Sequence, residues 1–281
     1  MLGKTRIFFL SGALLAAVTL PVQAAAKPEM PHIAFYKAIY AMNLVSTAPN
    51  SIVTGVGGEM YYEQDDTCHA WTTEQRLATR YDYRSGASVN DAARYAAFES
   101  KDGKHFSFNA EHQEDGKTDQ QISGSVTRAA NGAGNAVYTR PDGTQYALPK
   151  GYFLPVAHTA AIIRRAEAGE HFFSAVLFDG TDAAGAAETS VFIGRQETAA
   201  ERKEIAGADK YIDAKLLAPK AWHVRIAVFP LEDKWASTPA YEMDMILASN
   251  GVVSHAVVHY KNFAVEQRLT ALQPLPAAHC P

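Results

Sequence analysis

A mainly β fold, built as one large antiparallel domain with one or a few short helices, is what this chain of 281 residues predicts. Three observations carry that reading. Hydrophobic and polar residues alternate with a period of two through most of the chain. Three Asp-Gly turns, Asp102-Gly103, Asp115-Gly116 and Asp142-Gly143, fall within a span of about 40 residues, which favours an antiparallel meander over alternating βα units. Only one segment has a clear helical period. Barrel closure or overlap of its terminal strands would remove the edges of such a sheet.

The elements follow in chain order. Lys4 and Arg6 precede an apolar run over residues 7–20, and Pro21-Val22-Gln23-Ala24 leads to a small-residue cleavage point. Residues 1–24 are expected to be a cleaved signal peptide, with cleavage after Ala25 or Ala26 as alternatives, and 25–281 to form one domain. No cysteine follows the cleavage region, which argues against a lipid anchor. With no second apolar span, the exported chain is expected to be soluble. Residues 38–44 place Ala38, Tyr40, Met42 and Leu44 on one face of a strand. A second strand covers 51–62, where Gly55, Gly57 and Gly58 suggest a bulge or a close backbone approach. A third covers 76–83. RYAAFES, HFSFNAEH, TDQQISGSV, NAVYTR and TQYAL then read as strands, three of their junctions being the Asp-Gly turns.

Residues 155–168 (PVAHTAAIIRRAEA) break the alternation and read as a helix. Pro155 suits its first turn and Gly169 lies just past its end. Val156, Ala160 and Ile163 share a stripe, while Arg164, Arg165 and Glu167 are expected to face solvent. Strands resume at 171–180 and 190–196. Residues 197–219 are polar and ambiguous, and 221–229 (AWHVRIAVF) is a strand. Tyr241, Met243, Met245 and Leu247 alternate before an Asn250-Gly251 turn, and the returning strand runs to about Tyr260. Residues 274–281 read as an extended tail.

The formal charge of −4, with 20% charged residues, gives no electrostatic case for nucleic acid. The 10 histidines are scattered and there is no HExxH. His255 and His259 share a strand face about 13 Å apart, too far for one ion; His105 and His112 sit in the same β-rich context. No GxSxG elbow appears, and the glycines at 55–58 lack a phosphate-binding fingerprint. No catalytic residue, metal or cofactor is expected. The two cysteines, Cys68 and Cys280, favour a disulfide in an exported chain over a reactive thiol, and no CxxC is present. His69 follows Cys68, but neighbours on a strand point to opposite faces; Trp71 reads as core or rim packing. Tyr36, Tyr40, Tyr61, Phe106, Phe108, Phe172, Phe178 and Tyr241 are candidates either to line an apolar cavity or to fill an ordinary core.

YKAIYAMNL, the block GGEMYYEQDDTCHAWTTEQRL and the terminal AHC together resemble the envelope integrity protein B family of alphaproteobacterial periplasmic proteins, formerly a domain of unknown function. The resemblance spans the mature chain. It is carried by Gly58-Glu59-Met60, by Asp66-x-Cys68-x-x-Trp71 with Arg76 as a structural corner, and by the distant Cys280. It implies a β-spiral, an incomplete and overlapping barrel with helical material near its opening, and a bond between Cys68 and Cys280. It further implies a periplasmic, non-enzymatic protein that supports envelope integrity and stress resistance, acting as a scaffold for an unidentified envelope protein. The alternatives are a carrier for lipid, lipoprotein or peptide in an apolar cavity and, more remotely, an unrecognised hydrolase.

Overall fold

The computed structural model describes residues 30–278 except 208 and 232–236, together with Cys280. The expected signal peptide lies outside the described residues. Fourteen strands and two helices are described, numbered in chain order. The first arm is β1 (Tyr36–Thr47), β2 (Val53–Asp66), β3 (Ala70–Tyr83), β4 (Ser88–Ser100), β5 (His105–Glu114), β6 (Lys117–Arg128), β7 (Gly134–Arg140) and β8 (Gln145–Leu148). Helix α1 (Pro155–Glu167) separates it from the second arm. That arm comprises β9 (Phe172–Leu177), β10 (Ala187–Gln196), helix α2 (Ala199–Gly207), β11 (Ala221–Pro230), β12 (Tyr241–Ala248), β13 (Val253–His259) and β14 (Phe263–Pro274).

All fourteen strands form one sheet in the order β8-β7-β6-β5-β4-β3-β2-β1-β14-β13-β12-β11-β10-β9. Each arm is therefore a meander, and antiparallel pairing of β1 with β14, from Tyr36↔Pro274 to Thr47↔Phe263, fuses the two. The sheet does not close into a barrel, because β8 and β9 end it without pairing to each other. The segment after β8 spans the gap instead. Phe153 makes a parallel bridge to Leu177, its N–H donating to the Val176 carbonyl at 2.8 Å and its carbonyl accepting from Phe178 at 3.0 Å. The result is an incomplete, overlapping β-structure with α1 among its buried elements.

The turns explain the meander. Between β5 and β6, Asp115 and Gly116 both take positive φ (48° and 77°), the two-residue geometry that suits a tight hairpin. The other two Asp-Gly pairs use only the glycine in this region, Gly103 at 69° and Gly143 at 78°, within longer loops.

Helix α1 is more deeply embedded than an exposed lid would be. Val156, Ala160 and Ile163 are buried as the stripe predicts, and so are His158, Ala161 and Ile162. Arg164 and Arg165 are half-buried rather than solvated. The Arg165 guanidinium lies 4.4 Å from the Phe173 ring centroid and pairs with Glu170 at 2.7 Å. Around α1, Ile163, Val191, Val224 and Leu247 form one core; a second packs Phe106, Phe108, Tyr138 and Phe178 between β5–β7 and the segment after β9.

Two elements depart from the sequence reading. α2 occupies the ambiguous stretch and is nucleated by a capping box. Thr198 Oγ1 accepts from the Glu201 N–H at 3.2 Å while Glu201 returns a carboxylate to the Thr198 N–H at 2.8 Å. β14, which the alternation did not mark as a separate strand, is the seam of the whole sheet. Its pairing with β1 slips twice, between Ile39 and Tyr40 and between Leu44 and Ser46. Its buried hydrophobic positions, Ala264, Val265, Leu269 and Leu272, do not keep a period of two: the first two are adjacent, and the odd step from Leu269 to Leu272 passes the unpaired Thr270.

Candidate functional site

The block around the first cysteine forms a tight corner. Cys68 sits in the turn between β2 and β3 with φ 68°, rather than in a strand, and is disulfide-bonded to Cys280 with a Cα–Cα distance of 5.6 Å. The strand-parity reason for separating His69 from Cys68 thus does not apply. The turn and the bond set their positions, and no free cysteine occurs among the described residues. Asp66 accepts from the Cys68 N–H at 2.7 Å and its carboxylate meets Lys101 Nζ at 2.7 Å. Lys101 lies 5.8 Å from the centroid of Trp71, which is only 7% exposed and belongs to the core around α1. Arg76 is not part of this corner. It lies farther along β3, donates to Glu74 at 2.6 Å, and stands 5.7 Å from the Tyr61 ring centroid.

The histidines disperse. His105 is exposed. His112 lies between Asp91 (2.5 Å) and Asp119 (2.6 Å); partial burial pushes its pKa down, but the two carboxylates outweigh that and leave it raised. His255 pairs with Glu266 and His259 with Asp244, each at 2.9 Å, and Asp244 also receives Arg225. Among the described residues no group of three or more His, Cys, Asp or Glu side chains is placed to hold a metal.

A partly open cavity of about 440 Å³ is lined by β1–β4, β11–β14, the first two turns of α1 and the end of β9. Tyr36, Tyr40 and Tyr241 line it, with Tyr62 and Tyr95. Met60, Met243, Met245, Ile226 and Val253 supply flexible and branched apolar surface. The hydroxyls of three tyrosines are committed to the walls. Tyr40 donates to the Val253 carbonyl at 2.7 Å, Tyr36 to that of Gly251 at 3.5 Å, and Tyr95 to that of Asp179 at 2.6 Å. Gln64 is tied by Tyr62 (3.1 Å), by Thr73 (3.2 Å) and, through its own amide, by the Thr72 carbonyl (3.1 Å). Rings and methionines are therefore presented inward while the polar atoms brace the sheet. His158 reaches the cavity from α1; burial alone pulls its pKa down to about 4, so it is neutral at pH 7.

Five of the aromatic candidates lie elsewhere. Tyr61 faces the other side of β2, bonded to Glu63. The irregularity between Val53 and Gly55 switches the inward positions from odd to even, so Met60, Tyr62 and Gln64 face the cavity instead. Phe106, Phe108 and Phe178 fill the second core, with Phe108 and Phe178 centroids 5.4 Å apart. Phe172 is 59% exposed on the edge strand β9, directly opposite Phe192, because its neighbour Phe173 takes the inward position. Tyr62, Tyr95 and His158 are lining residues the sequence reading did not select. The alternation Met60-x-Tyr62-x-Gln64 and the position of His158 on the buried face of the helix were the available signals.

A long antiparallel sheet, curled and bridged at its ends around an internal cavity, defines an unclosed β-barrel-like protein. The chain belongs to the EipB-like family, whose model matches residues 27–276. The cell envelope integrity protein EipB of Brucella abortus (strain 2308) is 26% identical over 239 residues, covering 84% of this chain and 82% of that protein. The crystal structure of a beta-barrel-like protein of Domain of Unknown Function DUF1849 from Brucella abortus aligns with a TM-score of 0.77 at 25% identity. That alignment covers 88% of this chain and 100% of the solved one. The family is the one that the block around Cys68 resembles.

Proposed function

We propose that this protein is a periplasmic envelope-integrity protein that works by binding rather than by catalysis, with the cavity between the two arms as its binding site. The observation that carries this reading is the cavity itself: about 440 Å³, walled by tyrosine rings and methionines whose neighbouring polar atoms are largely bonded to the sheet. Its volume falls in the range of roughly 300–1,000 Å³ usual for small-molecule sites. Family membership supports the envelope role, and the N-terminal pattern of residues 1–24 supports export followed by cleavage, leaving 25–281 as the domain. Among the described residues no helix is long and apolar enough to cross a membrane. Lipid, lipoprotein and peptide are the candidate ligands.

Native mass spectrometry of protein released from the periplasm without detergent tests this reading. A reproducible adduct, lost after organic extraction with the disulfide intact, is the expected result. A homogeneous ligand-free mass, together with no binding of an apolar fluorophore, would overturn it. A second reading, a scaffold for another envelope protein, is favoured by the exposed Phe172–Phe192 pair on the outer face at the β9 edge. Replacing both with serine would abolish a stoichiometric cross-link if that edge is the interface.

A further inference from the structure

We infer that the cavity takes a single acyl chain, inserted tail first, with an uncharged headgroup left at the mouth beside Thr181. This inference rests on the binding reading proposed above and names its ligand class. Three features of the lining select it.

The first is charge. No Lys or Arg is among the described residues that line the cavity, and its one carboxylate is Asp179. Asp179 already accepts from the Thr181 N–H at 2.9 Å and from the Thr181 hydroxyl at 2.7 Å. Thr181 is the exposed member of the lining, so this pair marks where the cavity meets solvent. An anionic headgroup there meets an anion and no compensating cation. His158 supplies none at pH 7, being buried and neutral.

The second is hydrogen bonding. A peptide brings one buried donor and one buried acceptor per residue, each costly without a partner. The hydroxyl protons of Tyr36, Tyr40 and Tyr95 go to backbone carbonyls, Thr159 donates back to the Pro155 carbonyl at 3.1 Å, and Gln64 is held from three sides. Gln75, Gln267 and the Tyr241 hydroxyl are the other polar side chains of the lining that face a guest, too few for the repeating groups of a peptide. The sheet's own backbone groups are consumed by its ladders. A polymethylene chain makes no such demands.

The third is shape and compliance. At about 440 Å³ the cavity stands near the lower end of small-molecule sites, which suits one chain rather than the paired tails of a phospholipid. Met60, Met243 and Met245 adapt to a flexible guest better than branched side chains do.

Displacement of the neutral fluorophore N-phenyl-1-naphthylamine from delipidated, oxidised protein by a series of 1-monoacylglycerols tests the inference. Affinity should rise about fourfold per added methylene, the increment for burying one CH₂, and then level off once the cavity is full. The fatty-acid anion of matched length should bind more weakly than the monoacylglycerol. Val228→Trp and Val253→Trp, which fill the space from β11 and from the start of β13, should each weaken the longest binder at least tenfold and bring the plateau to shorter chains. Phe172→Ser, on the outer face, should leave the series unchanged. Each variant's thermal transition reports whether it folds, and the chain-length series on the unmodified protein decides the matter if either tryptophan variant does not. Displacement by apolar peptides with a flat chain-length series would overturn the acyl assignment and leave the binding reading standing. A fluorophore that fails to bind at all would remove both.

Discussion

At the scale of single residues, Gly58 shows how a local sequence signal acquires a physical cause. The three glycines of β2 suggested a bulge or a close approach, and they divide the work. An irregularity lies next to Gly55, whereas Gly58 is where β2 and β3 pass so closely that a Cβ would come 2.2 Å from the Ala78 carbonyl oxygen and 2.7 Å from Thr79 Cα. A Cβ on Gly57 would meet nothing within 4 Å. Gly58→Ala should therefore destabilise the protein by about 1–3 kcal/mol, since backbone atoms must shift to admit one methyl. Gly57→Ala should change stability by no more than about 0.5 kcal/mol. Chemical denaturation of the two variants checks the contrast, and equal effects would contradict it. The bulge also accounts for a site residue the alternation misassigned. Counting inward positions from Val53 lands on Tyr61, and only the extra residue near Gly55 moves the inward face to Tyr62. An irregularity of one residue leaves no mark in composition, yet it reverses the parity of a whole strand.

At the scale of elements, α1 depends on a partner that its own sequence does not contain. Leu154 at its N-terminus offers no side-chain cap, and Glu99 from β4 supplies one, accepting from the Val156 N–H at 2.8 Å and the Ala157 N–H at 2.9 Å. Pro155, the stripe and Gly169 made the helix legible, but a cap contributed 57 positions away is visible only in three dimensions. Glu99 is 2% exposed; burial raises its pKa to about 7 from an ordinary 4.5, against the lowering effect of the two N–H groups. Its contribution to stability is thus full below about 4.5, where folded and unfolded chains both bind the proton. It is lost as pH rises through about 7. His158, held near 4 by burial, acts in the opposite sense, with stability present above 6.5 and lost as pH falls toward 4. Between pH 4.5 and 6.5 the two nearly cancel. Relative to the unmodified protein, Glu99→Gln should gain stability with rising pH in that window, by at most about 1.4 kcal/mol per unit. His158→Gln should lose stability with rising pH over the same range. Melting temperatures across the window measure both differences, and parallel curves for all three proteins would refute the assignment.

At the scale of the whole molecule, two devices join distant parts of the chain, and they do different things. Pairing of β1 with β14 fuses the arms into one sheet, whereas the disulfide fastens the tail beyond β14 to the β2–β3 turn. The antiparallel class was legible from the turns and the alternation. The seam was not, because the adjacent buried pair Ala264 and Val265 and the unpaired Thr270 break the period of two in β14, and because pairing across more than 200 residues is a property of the assembled sheet. Since the seam holds from Tyr36 to Pro274 without the sulfurs, the reduced protein should keep its sheet and its cavity. The bond acts chiefly on the unfolded chain, closing a loop across 212 positions, for which the chain-entropy model gives up to about 5 kcal/mol. Non-reducing peptide mapping should recover a peptide joining Cys68 to Cys280. Cys280→Ser should lower resistance to denaturant by several kcal/mol on the same entropic ground while leaving the β-sheet circular dichroism of the folded state unchanged. Reductant should bring the unmodified protein to the level of Cys280→Ser and leave that variant where it is. Cysteines that alkylate in freshly isolated, unreduced protein would contradict the clasp. A variant that loses its sheet signal would show instead that the seam cannot hold the two arms without it.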